Sequence, residues 1–125
     1  MMTTLAVDFG GRRIKLGLVS GGKVTAMQII AAQAQESLAS RLEVVAAELK
    51  NLCFLHGLRP GDCAGIGFAY PSIIDISQAQ ILDHFGKFGD VTTLDLRAWA
   101  KKTFGLSLAI DNDARMALIG EWCYG

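Results

Sequence analysis

Two pairs of adjacent glycines cut an alternating apolar stretch into three runs, and this pattern constrains the chain more than any other. Residues 4–24 read TLAVDFGGRRIKLGLVSGGKV. Leu5, Val7 and Phe9 alternate with Ala6 and Asp8, and Ile14, Leu16 and Leu18 resume the alternation after Gly10, Gly11, Arg12 and Arg13. A period of two with a glycine break reads as a hairpin. Gly21 and Gly22 end the second run, and KVTAMQII supplies a third, so the first thirty residues are expected to form a three-stranded antiparallel meander. Asp8 then sits where an apolar strand ends. One reading makes it a turn residue, because glycine reaches positive φ without strain and aspartate bonds to nearby amides. The other lets the glycine pair bring backbone N–H groups close to an anion while Asp8 holds an accompanying magnesium ion.

Beyond the meander, Leu38, Leu42, Val45, Leu49 and Leu52 recur at helical spacing from Ser37 to His56. Ser37 or Ser40 stands near the start of this helix; Ser40 and Glu43 have capping-box spacing, and Gly57 stops it. AGIGFAY, residues 64–70, reads as a buried strand whose glycines allow close backbone approach. Pro71 opens an irregular stretch that runs to about Asp90, with a short strand expected over Gln80 to Leu82. A loop of that length usually carries function. TLDLRAWAKKTFG then reads as a helix, LSLAID as a buried strand, and NDARMALIGEWCYG as a helix entered directly from it. Three strands followed by alternating helices and strands imply an α/β fold with a mixed sheet.

A chain of 125 residues is in the range of one compact domain. Twelve basic and twelve acidic residues leave no net charge, which gives no field to draw in nucleic acid or an anionic membrane and favours a small polar partner. Cys53, Cys63 and Cys123 form no CxxC pair, and an odd count argues for a reducing, cytoplasmic compartment. No apolar run reaches the length of a membrane span and no signal peptide is evident, so a soluble protein is expected. Yet 51% of the residues are apolar, and some apolar face is expected to be covered by something else.

Several motifs fail on their context. DFG, residues 8–10, lacks the glycine-rich loop and HRD segment that precede it in protein kinases. GIGFAY begins like a dinucleotide fingerprint, but Tyr70 occupies the third glycine position and Pro71 follows where a helix should start. DNDARMALIGEW begins like a calcium loop, but Arg115 and Trp122 stand where oxygen ligands belong. Cys53, His56 and Cys63 lack a usual zinc spacing. What remains is Asp111, Asn112 and Asp113 at a strand-to-helix junction. Asn112 or Asp113 could cap the helix, but capping needs one such residue rather than three. Ligands in open α/β sheets sit at the carboxyl ends of strands, where an aspartate can accept a proton from a substrate hydroxyl.

Taken together, LAVDFGGRRIKLGLV, GIGFAYPSIID and LAIDNDARMALIGEWCYG resemble, in order and spacing, the amino-terminal lobe of the ROK family of bacterial sugar kinases and sugar-responsive repressors. The similarity spans nearly the whole chain and is strongest over residues 110–125. It implies a ribonuclease-H-like lobe of the actin-like ATPase type, paired in the family with a second lobe, with sugar and ATP bound between them. By that resemblance Asp8, Gly10, Gly11 and Arg12 belong to the phosphate loop, with Asp8 meeting magnesium through water. Asn112 and Ser72 fall on the sugar side, and Asp113 is the catalytic base. Arg12 stands where the family usually has threonine, Pro71–Ser72 where it has Pro-Gly, HFGKFGD where a sugar-contacting Asn and Trp are common, and Asp111 where it has glutamate.

The resemblance implies that the second lobe, with its adenosine contacts and cysteine-rich zinc motif, has no counterpart in these 125 residues. The expectation is therefore a single amino-terminal lobe of an ATP-dependent sugar kinase, inactive alone. Its partners would be a small-molecule sugar and either a second lobe or a second copy of itself, with no nucleic acid or membrane. Two alternatives are a sugar-sensing module of a ROK-type repressor and a non-catalytic self-associating lobe. Repressors of this kind usually carry a helix-turn-helix ahead of the first strand, which favours the kinase lineage.

Overall fold

The structure, a computed structural model, describes residues 2–72, 74–83 and 88–111. The helix expected over 112–125, with Asn112 and Asp113, lies outside the described residues. The expected meander is present as β1 (Thr3–Phe9), β2 (Arg13–Ser20) and β3 (Lys23–Ala31), each paired antiparallel to the next. Gly21 and Gly22 both take positive φ, 61° and 75°, as a two-residue hairpin turn between twisted strands requires.

The helix α1 (Leu38–Leu55) carries the chain to β4 (Gly65–Ala69), and α2 (Leu96–Phe104) carries it on to β7 (Leu108–Asp111). Both strands join parallel to what precedes them, β4 beside β1 and β7 beside β4, giving a mixed sheet in the order β3-β2-β1-β4-β7. Between β4 and α2 the irregular stretch holds a small hairpin of β5 (Ile74–Asp75) and β6 (Gln80–Ile81). Gln80 Nε2 ties it down by donating to Thr92 O at 2.7 Å, and Arg97 by donating to Ser77 O at 2.6 Å.

Register sorts the side chains cleanly. Leu5, Val7 and Phe9 pair with Leu18, Leu16 and Ile14 on one side, and Leu5 and Val7 with Ile66 and Phe68 on the other, which pair in turn with Leu108 and Ile110. All are buried in one core with Leu42, Val45 and Leu49 of α1 and Leu96, Ala100 and Phe104 of α2. Phe9 is its aromatic hub, edge-on to Phe68 with centroids 4.9 Å apart and 5.6 Å from Tyr70. The opposite face carries Ala6, Asp8, Lys15, Gly17, Gly67, Ala69, Ala109 and Asp111, mostly small residues flanked by the exposed Met27 and Ile29 of β3.

Helix ends follow the local chemistry. Ser37, rather than Ser40, is the cap of α1: its Oγ accepts from Ser40 N at 3.1 Å, while the Ser40 hydroxyl donates back to Ser37 O. Asp90 adds a second cap from far along the chain, accepting from Leu38 N at 2.6 Å and Ala39 N at 3.1 Å. Asp95 caps α2 and Gly105, at φ 73°, ends it. Among the described residues no helix is long and apolar enough to cross a membrane.

Candidate functional site

Asp8 is the penultimate residue of β1 and is half-buried. Its cross-strand partners are Lys15 on β2 and Ala69 on β4, and Ala69 is the partner of Asp111 at the end of β7. Paired residues share a face, so Lys15, Asp8, Ala69 and Asp111 form one row at the carboxyl ends of three parallel strands. Two strand spacings put the two aspartate backbones about 10 Å apart. Tyr70 N continues the ladder by donating to Asp111 O at 2.9 Å, which fixes the end of β4 to the end of β7.

The turn beside this row explains its first glycine. Gly10 N donates to Arg13 O at 2.9 Å, and a Cβ on Gly10 would fall 2.8 Å from that same oxygen. The hairpin therefore needs glycine at position 10 for space beside the Arg13 carbonyl, not for the positive φ that the turn reading invoked, which neither Gly10 nor Gly11 adopts. Ala32 N donates to Arg12 O at 2.8 Å, holding the turn against the end of β3. Gly11, Arg12 and Arg13 remain exposed, so the phosphate reading has accessible backbone and guanidinium groups at the place it requires. Oxygen donors at Asp8 and Asp111 suit magnesium, which is commonly held by one or two carboxylates.

Ser72 lies just past β4. Its hydroxyl donates to the carbonyl of Asp83 and its amide to Tyr70 O at 2.9 Å, so it pins both ends of the excursion that carries β5 and β6. Tyr70, 1% exposed, has no hydrogen-bond partner for its hydroxyl among the described residues. Burial pushes its pKa up to about 12, with Asp90 adding to the rise. Cys53 and Cys63 are buried free thiols. Burial raises both, Cys63 to about 11 with its neighbour Cys53 contributing, so both are poor nucleophiles. His56 is exposed at the end of α1.

Of the residues singled out from the sequence, the structure brings Asp8, Gly10, Gly11 and Arg12 together at one end of the sheet and adds Asp111 to them. Asn112 and Asp113 follow Asp111 directly in sequence and lie outside the described residues. Two residues escaped sequence reasoning. Asp90 caps a helix more than fifty positions away, for which no local signal exists. Lys15 was legible: once Phe9 opposes Ile14 across the hairpin, alternation puts Lys15 opposite Asp8 and on its face.

No family model matches the chain. Among curated proteins it is 28% identical over 120 residues to a beta-glucoside kinase of Listeria innocua, a match that covers 96% of this chain and 38% of that protein. Among solved structures it is similar to a ROK family glucokinase from Streptomyces griseus in complex with glucose and AMPPNP, with TM-score 0.75 and 22% identity. That match covers 98% of this chain and 37% of the glucokinase. It is also similar to a ROK family transcriptional regulator, a homologue of the E. coli MLC protein, with TM-score 0.72, 20% identity and coverage of 91% of this chain and 28% of the regulator. The resemblance read from the sequence is thus borne out: the chain is similar to the amino-terminal portion of ROK sugar kinases and has their actin-like ATPase fold. It spans about 38% of the length of the curated relative.

Proposed function

We propose that this chain is the amino-terminal lobe of a cytoplasmic, ATP-dependent sugar kinase that transfers the γ-phosphate of MgATP to a hexose hydroxyl. The observation that carries the reading is the row Lys15–Asp8–Ala69–Asp111, which sets a metal-competent carboxylate beside a Gly–Gly–Arg turn whose Gly11 and Arg12 are exposed and leads β7 directly into Asn112 and Asp113. Magnesium bound there would neutralise phosphate charge, and Asp8 would hold it through water. Gly10 shapes the turn, Gly11 and Arg12 offer donors to phosphate oxygens, Asn112 holds sugar hydroxyls with Ser72 on the same side, and Asp113 takes the proton from the attacking hydroxyl. Phosphoryl transfer asks mainly for positioning and charge stabilisation, and these residue types supply both.

Alignment of hydroxyl and γ-phosphate in a water-poor cleft can lower the barrier by about 7–11 kcal/mol. One lobe offers an open face where contacts are screened, so the isolated chain is inactive and needs a second lobe. The purified chain, incubated with MgATP and a panel of hexoses and amino sugars, is expected to release no ADP in a sugar-dependent manner. Turnover that tracks sugar identity and disappears in Asp113→Asn would contradict inactivity and mean that a second copy completes the cleft.

The similarity to a ROK regulator supports a second reading, a sugar-sensing module. It is distinguished by sugar binding without any response to MgATP. The exposed Val24, Met27 and Ile29 of β3 suit a third, a non-catalytic lobe that pairs with its own copy, and sedimentation of a monomer at high concentration would count against it.

A further inference from the structure

We infer that Cys53 and Cys63 form a dithiol site that hydrogen peroxide oxidises to an intramolecular disulfide. The inference is independent of the nucleotide reading, because the pair stands at the other end of the sheet: Cys63 precedes the start of β4, whereas Asp8 and Asp111 stand where β1 and β7 end.

The fold brings the two thiols together by fixing the backbone that carries each. Cys53 lies on the buried stripe of α1 with Leu42, Val45 and Leu49. Gly57, at φ 69°, turns the chain away from the helix, and Leu58 N donates back to Cys53 O at 2.8 Å. The single turn Pro60–Asp62 then redirects it, with Cys63 N donating to Pro60 O at 3.0 Å. Ala64 N donates to Thr3 O at 2.8 Å, so the residue after Cys63 is already tied to β1. Held in this way, the two thiols share a side-chain hydrogen bond, and Arg59 O lies 3.8 Å from Cys63 Sγ. Sulfurs in contact meet the distance requirement that excludes most cysteine pairs.

The two differ in access. Cys53 is fully buried and Cys63 is 8% exposed, on a connection whose Phe54, Leu55, Arg59, Gly61 and Asp62 lie at the surface. A small oxidant therefore meets Cys63 first. The Cys63 thiolate attacks one peroxide oxygen, so that an S–O bond forms as the O–O bond breaks, and the departing hydroxide leaves as water with the proton that Cys63 released. The Cys53 sulfur then attacks the Cys63 sulfur; the S–S bond forms, the S–O bond breaks, and the second hydroxide takes the Cys53 proton. Two thiols lose two electrons and one peroxide becomes two waters. Burial disfavours the thiolate at both positions, so the first step is slow. Contact between the sulfurs favours the second step over further oxidation of Cys63. The competing explanation is that the pair fills space as two small apolar side chains, which predicts no covalent link.

The test treats the folded chain and its Cys123→Ser variant with excess hydrogen peroxide at neutral pH and reads free thiols and peptide maps. Cys123→Ser is expected to lose both of its titratable thiols and to yield a linked peptide that joins Cys53 to Cys63, lighter than its two parts by two hydrogens and released by dithiothreitol. The unaltered chain should form the same link and keep Cys123 free. Cys53→Ala, which cannot close the bond, should instead hold Cys63 as a sulfenic acid that dimedone traps. Thiols that stay intact in the folded chain but oxidise once urea unfolds it, oxygen added to either cysteine of Cys123→Ser without a link, or a link that joins two chains or reaches Cys123 overturns the inference and leaves the nucleotide reading standing.

Discussion

Asp8 and Asp111 stand in one cross-strand row with only the methyl of Ala69 between them, at the ends of β1, β4 and β7. Ala69 is fully buried, so the gap that it fills has no spare room. Ala69→Leu would force a larger group between the carboxylates. We expect it to cost about 1–3 kcal/mol by overpacking and to abolish the magnesium dependence of nucleotide binding. Urea unfolding and a magnesium titration check the two effects separately. Unchanged magnesium dependence in a folded variant would mean that the carboxylates do not act at one place.

Gly10 offers a contrast, because its demand is steric. Gly10→Ala places a methyl 2.8 Å from the Arg13 carbonyl, and the β1–β2 turn must shift to accept it. Destabilisation of about 1–3 kcal/mol is expected in the absence of any ligand. A variant as stable as the parent would show that the turn accepts a side chain and that glycine serves something else.

The N-terminus of α1 depends on Asp90, whose two carboxylate oxygens accept from Leu38 N and Ala39 N. Asp90→Ala should cost about 1–2 kcal/mol, with Ser37→Ala costing less because its Oγ takes a single amide. Chemical denaturation of both variants measures the order. Equal losses would show that the second amide Asp90 takes adds nothing, and no loss in Asp90→Ala that the long-range cap contributes nothing.

How far these features were legible follows from the range of the signal behind each. Period-two alternation and paired glycines announced the meander, and the leucine spacing from Leu38 to Leu52 announced α1, because both signals lie within one element. The parallel pairing of Ala69 with Asp8 and Asp111 carries no local mark, so the row that organises the site needed coordinates. The same holds for Asp90, which sits in a stretch read as irregular and caps a helix from across the fold. Ser37 prevailed over the Ser40–Glu43 spacing because the apolar period already begins at Leu38, which leaves Ser40 inside the first turn.

Buried protons make the fold sensitive to alkali. Cys63 is raised from 9.0 to about 11 and Tyr70 from 10.0 to about 12, both first by burial. Each folded value exceeds its unfolded one, so the unfolded chain releases these protons at lower pH. The associated stability is intact below about pH 9 and is lost as pH rises through about 11 and then 12. Cys63→Ala should flatten the lower part of that decline and Tyr70→Phe the upper part. At neutral pH Tyr70→Phe should be neutral or slightly stabilising, since it removes a buried hydroxyl that has no partner among the described residues. Urea midpoints recorded from neutral to strongly alkaline pH provide the check, and a flat profile for the parent chain would contradict the account.

The central claim is that Asp113 acts as the base of a sugar kinase whose metal and phosphate are placed by the Asp8 turn. It is tested most directly by joining this chain to the carboxyl-terminal remainder of the Listeria innocua beta-glucoside kinase and measuring sugar-dependent ATP consumption. The account predicts turnover in the joined protein and a fall in kcat of roughly 10²-fold or more in Asp113→Asn, and a sugar-dependent rate that Asp113→Asn leaves unchanged would contradict it.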